Sequence, residues 1–285
     1  MTHWPSILRR RTHPRDATIL WDSSVYFFCL GLPVLVILAS LDATEINGEP
    51  RWIKPIKFFL SIALYNLNLE WLFRVFRTEA NVARLNRVRW IIGVGLLIEA
   101  VLIVVQAARG VQSHFNVATA LDGAIFSIMG VTIAIVVLAA LYGGYIIWRA
   151  RRQAPAIIAE ATVLAILVMT VGSFQGYSMT SPTAEQMAAL EQGGEFLQSG
   201  SHFVGQPPLD THNTVPLVGW SLDIGDLRIP HFIGLHALQF FLVLAFLLYH
   251  FKVPASFAIV RFFAASYSVL FLFSFLRAQG GAPLI

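Results

Sequence analysis

Seven long apolar runs decide what this chain can become. They cover about residues 24–41, 56–73, 90–107, 124–148, 156–174, 232–251 and 257–276, and each is near the roughly 20 residues that cross a hydrocarbon core as a helix. A bilayer offers no water to backbone N–H and C=O groups, so runs of this length predict helices. The expected fold class is all-α: a polytopic transmembrane helical bundle with seven spans, occupying 1–285 as a single membrane domain. With 56% hydrophobic and only 13% charged residues, the chain lies outside the range of soluble globular domains. The lipid bilayer is its expected partner.

Orientation follows from the arginines. Arg9, Arg10, Arg11 and Arg15 precede the first run, and Arg74, Arg77, Arg84, Arg87 and Arg89 lie between the second and third. Arg149, Arg151 and Arg152 follow the fourth, and Lys252 follows the sixth. Seven crossings place all of these on one side, so the N-terminus is expected in the cytoplasm and the C-terminus outside. The first run is too long for a signal-peptide core and no small-residue cleavage site follows it, so it reads as a retained anchor. A formal charge of +4 does not point to nucleic acid, because no basic stripe carries interleaved aromatics. The single cysteine, Cys29, excludes an internal disulfide and reads as a small apolar residue of the first helix.

The long connection, 175–230, falls on the outer side. In "TSPTAEQMAALEQG", Thr183 or Ser181 supplies a cap and Pro182 suits a first turn, which predicts one short helix. The rest has turn chemistry throughout, while Phe196, Phe203, Leu217, Val218 and Trp220 predict that it folds back as a lid.

Polar residues in a span normally face the bundle and have partners. In the second span Lys54, Lys57, Ser61, Tyr65 and Asn68 share about 80° of the wheel and read as an inward polar face. That helix is expected to start at Pro55. Glu99 lies in mid-run of the third, where an unpaired carboxylate would be protonated or paired. It reads as a packing hydrogen bond, a proton-relay site, or a counter-charge for Lys57 or Arg109. The third span then ends in "QAARGVQSHFN", crowding Gln106, Arg109, Gln112, Ser113, His114 and Asn116, with Asp122 opening the fourth. In the sixth, His236, Gln239 and His250 share a stripe of about 60°, whereas His231 stands about 140° from His236, which rejects a one-helix chelate. Arg277 ends the seventh span, and the loop adds His202, His212, Asp223, Asp226 and Arg228. The polar surplus is expected in the outer half as one outward pocket, with nothing comparable on the cytoplasmic half.

At "RWIKPIKFFLSIALY", "QAARGVQSHFN", "GDLRIPHFIGLHALQ" and "RAQGGAPL" the sequence resembles a family of uncharacterised multi-pass bacterial membrane proteins. The resemblance implies an inner-membrane location and carries no activity.

Three functions compete. The first is a haem b or divalent-metal site ligated by some of His114, His231 and His236, with His202 or His212 as further donors and a membrane oxidoreductase as the implied activity. The second is a binding protein or carrier for a small anionic molecule held by Lys57, Arg109, Arg228 and Arg277. The third is an accessory membrane subunit that docks a partner protein through the outer loop.

Overall fold

The computed structural model describes residues 16–205, 213–216 and 218–284; His212 and the arginines before residue 16 lie outside them. The chain divides into two compact units, Met1–Ala156 and Ile157–Ile285. Among the described residues six helices are long and apolar enough to cross a membrane: Ile19–Leu41, Val82–Ala108, Ala120–Arg149, the apolar part of Ala156–Glu191, Arg228–His250 and Ser256–Gln279. The protein is therefore a multi-pass helical bundle suited to a bilayer.

In the first unit one continuous helix is built from α1 (Ile19–Tyr26), a π turn (Phe27–Gly31) and α2 (Leu32–Leu41). Pro33 has no N–H, and its ring would meet the carbonyl four residues back in a regular α-helix. The wider π turn just before it relieves both problems. Strands β1 (Glu45–Ile46) and β2 (Glu49–Pro50) form a two-residue hairpin. Asn47 and Gly48 take φ of 54° and 76° at its tip, the paired left-handed conformation such a tight turn requires.

Next come α3 (Ile53–Val75), α4 (Val82–Ala108) and α5 (Ala120–Arg149). Helix α3 has 23 residues but is not among the six apolar spans, because Lys54, Lys57, Asn66, Asn68, Glu70 and Arg74 dilute its hydropathy. It begins at Ile53 rather than Pro55, with the proline in the first turn, where its missing N–H costs nothing. Its buried face runs through Phe59, Ile62, Ala63, Asn66, Leu69, Glu70 and Phe73. Of the stripe expected to face inward, Ser61 is exposed, while Lys54, Lys57, Tyr65 and Asn68 are half-buried and Lys54 reaches His114. Large apolar side chains choose the packed face, and the polar stripe lies beside it.

The second unit contains α6 (Ala156–Gln175), α7 (Ala184–Glu191), α8 (Arg228–His250) and α9 (Ser256–Gln279). Helix α7 opens on a capping box: the Thr183 hydroxyl accepts from Gln186 N, and the Gln186 side chain accepts from Thr183 N. Strands β3 (Phe203–Val204) and β4 (Gly225–Asp226) pair antiparallel beside α9. Gly225 lies so close to the Ala278 carbonyl that a side chain there would collide with backbone.

Candidate functional site

The residues expected to form one outward pocket fall in both units. Lys57, Glu99, Gln106, Arg109 and His114 belong to the first; His231, His236, Gln239 and Arg277 belong to the second.

At the C-terminal end of α4 the first unit builds a connected polar cluster. Thr119 caps α5 by accepting from Asp122 N at 3.1 Å, and its hydroxyl donates to the Asp122 carboxylate at 2.6 Å. Arg109 pairs with the same carboxylate at 2.6 Å and also donates to Gln106 Oε1, while Gln106 Nε2 donates to Asp122 at 3.0 Å. His114 Nδ1 lies 3.2 Å from Lys54 Nζ and 3.0 Å from Ser113 Oγ, with the rings of Phe58, Phe115 and Phe126 around it. Lys57 pairs with Glu49 at 3.4 Å across a solvent-accessible gap. Asp42 binds Arg51, Trp52 Nε1 and Thr44 N. Hydrogen bonds from Thr44, foremost, and then Trp52 and Arg51 hold the Asp42 carboxyl well below the usual carboxylate range.

Glu99 is the counter-charge of neither Lys57 nor Arg109, since those cations are taken by Glu49 and Asp122. It is 4% exposed, and Oε1 has no hydrogen-bond partner among the described residues.

The second unit accounts for the helix α8 histidines by packing. His231 Nδ1 donates to the Gly172 carbonyl at 2.8 Å, which fixes the tautomer and leaves Nε2 as the acceptor nitrogen. That bond sits at a crossing of α6 and α8 where Gly172 and Gly234 meet backbone to backbone, too close for any Cβ. His236 lies against Phe232 with ring centroids 4.1 Å apart, and Trp220 of the loop packs on Phe232 at 5.1 Å. Gln239 leaves Oε1 buried without a partner among the described residues, and His250 is exposed beside Phe246. Arg277 donates to the Pro283 carbonyl. Arg228 forks onto Asp226, reaches the Gly219 carbonyl and lies over Phe203. Asp223 accepts from Asn213, and the His202 carbonyl accepts from Leu227 N. Of the loop residues expected to fold back, Trp220 packs on Phe232 of α8 and Phe203 pairs with Asp226 in the β3–β4 ladder, while Leu217 lies outside the described residues.

The expectation that the polar surplus is confined to one half fails in the first unit. Near the N-terminal end of α4, Arg89 is completely buried and donates to Glu70 Oε2 at 2.8 Å and to Asn86 Oδ1 at 3.0 Å. Its guanidinium faces the Phe73 ring, and Arg74 takes the other Glu70 oxygen at 2.7 Å. Asn86 also accepts from Ala17 N, and Arg77 pairs with Asp16 at 2.8 Å. A counting argument finds the pair: Glu70 lies five residues before the end of α3 and Arg89 seven after the start of α4. A short turn between antiparallel helices therefore brings them to one level. The arginine's place near a loop hid it behind the positive-inside rule.

Among the described residues no three of His, Cys, Asp and Glu gather to hold a metal ion. Sequence comparison with family models and curated proteins, and structural comparison with solved structures, find no match to this chain.

One further feature is legible only with the structure beside the sequence. No lysine or arginine occurs between Arg152 and Arg228. Within that acidic stretch α7 has no buried residue, and Met187, Leu190 and Leu197 are 41%, 43% and 51% exposed.

Proposed function

We propose that this is a seven-span accessory protein of a bacterial inner membrane, with its N-terminus in the cytoplasm, which docks a partner protein through the outer segment centred on α7. Helix α3 supplies the seventh crossing, with Glu70 paired to both Arg74 and Arg89. One observation carries the docking: α7 is capped, yet none of its residues is buried. An isolated eight-residue helix is marginal in water, so such a helix with exposed Met187 and Leu190 fits a surface awaiting cover. Glu185, Glu191 and Glu195 are exposed around it, so the complementary surface is basic with an apolar centre.

The test places a photo-crosslinking residue at Met187 or Leu190 in native membranes, with Phe262 as a lipid-facing control. A single adduct of defined mass at both α7 positions, lost in Glu191→Lys/Glu195→Lys, is the expected result. Absence of any adduct, or the same adducts at Phe262, would refute docking. Impermeant maleimide on a Cys29→Ser background reports the topology: a cysteine at Gln192 labels from outside and one at Gln153 does not.

Against the anion-binding reading, Lys57, Arg109 and Arg228 already face Glu49, Asp122 and Asp226, while Arg277 donates to the Pro283 carbonyl. The haem or metal reading keeps one supporting observation. A ring whose Nδ1–H is fixed on a carbonyl, as in His231, is poised to ligate through Nε2. A Soret band or stoichiometric metal in purified protein, lost in His231→Ala, would establish it. A colourless, metal-free, folded protein would remove it.

A further inference from the structure

In the first unit a groove of about 660 Å³ runs between α1 and α4. Its floor is the edge-to-face pair Phe27–Phe59, with centroids 4.7 Å apart, and its far wall is Val101 and Val105. The two helices run in the same direction, because Ala17 N bonds Asn86 near the start of α4 and Ile19 packs against Gly93. Polar groups therefore collect toward one end, where Thr18, Asp22 and Ser23 line the groove together with Trp90. From Trp90 to Val105 the groove follows α4 for about 22 Å, more than the ~15 Å half-thickness of a hydrocarbon core. Its volume is in the range of pockets that hold a small-molecule ligand, about 300–1,000 Å³.

The polar end carries both signs of charge. Asp22 is exposed in the groove wall, and Arg87, outside the lining, is exposed on the turn of α4 just before Trp90. Among the described residues neither is in an ion pair; Asp22 accepts only from the Thr18 hydroxyl, at 2.7 Å. An acid in the wall of an apolar slot and a base on the helix turn before it match a headgroup that is itself zwitterionic. We propose that this groove holds one acyl chain of an aminophospholipid, with the lipid ammonium on Asp22 and its phosphate on Arg87. The inference rests on reading these helices as membrane crossings. It goes beyond the docking function, giving the first unit a resident lipid of the cytoplasmic leaflet.

The test measures phospholipid retained per chain, by native mass spectrometry and phosphate assay, after exhaustive detergent exchange. It is followed by reloading with phosphatidylethanolamine or phosphatidylglycerol. Wild-type protein should keep one phosphatidylethanolamine. Val101→Trp, which fills the slot, should lose it at least tenfold, while Val269→Trp on an exposed face of α9 should not. Asp22→Asn, a surface change that leaves the fold intact, should shift the preference toward phosphatidylglycerol several-fold. No retained lipid in wild type, equal retention in Val101→Trp, or a preference indifferent to Asp22 would each overturn the proposal. Release of the protein from membranes by alkaline carbonate would instead sink the membrane reading itself.

Discussion

The two ends of α4 carry the same chemistry under different solvation. At one, Arg89 and Glu70 join α4 to α3 with both side chains at most 3% exposed; at the other, Arg109 and Asp122 join α4 to α5 with the arginine 34% exposed. A buried pair is held by desolvation as much as by attraction, because losing one partner strands the other charge away from water. A pair whose arginine reaches solvent can rehydrate, so its loss is milder. The first end is thus a rigid clamp for the helix packing, and the second an adjustable cap.

Arg89→Met should give the largest effect, since Glu70 and Asn86 both lose a donor. A cost of about 3–5 kcal/mol is expected, read as a large drop in thermal midpoint by fluorescence-detected size exclusion. Adding Glu70→Met to it should recover part of that loss, and a double variant as unstable as the single one would break the comparison. Asp122→Ala removes the acceptor shared by Arg109, Gln106 and Thr119, and should cost about 1–3 kcal/mol in the same assay. Arg109→Ala should cost about 1 kcal/mol or less and become milder still at high salt. An Arg109 variant as damaging as Arg89→Met would show that exposure does not separate the two ends.

The smallest expected effect is in the connection from α2 to α3. The folded Asp42 carboxyl titrates below its ordinary value of 3.8, so its contribution is complete above that value and is lost as pH falls beneath it. Asp42→Asn should flatten the acid limb of a stability–pH curve by lowering its neutral end, and should match the wild type once the carboxyl is protonated. An unchanged acid limb would remove Asp42 from the account.

How far the sequence reveals these features depends on which physical effect each obeys. Hydropathy reports what lipid will accept, and six of the seven runs reappear as apolar helices. It reports helix ends poorly: α4 starts at Val82, eight residues before the apolar run, because Arg84, Arg87 and Arg89 favour helix while opposing lipid. The short loop helix was legible because its capping box is local, Thr183 to Gln186. The π turn was not, since it answers the clash of Pro33 through a rearranged backbone. Wheel angles set His231 apart from His236, but could not reveal that one bonds Gly172 and the other packs on Phe232. Glu99 was visible as an anomaly, and the pairing of Lys57 and Arg109 elsewhere became visible only in three dimensions.

The acidic, cation-free segment around α7 also determines how the protein is digested. Trypsin cuts after lysine and arginine, so it releases everything from Gln153 to Arg228 as a single apolar peptide that is poorly suited to mass spectrometry. A glutamate-specific protease meets Glu185, Glu191 and Glu195 exposed on the folded chain, and should nick the native protein there while trypsin leaves the segment whole.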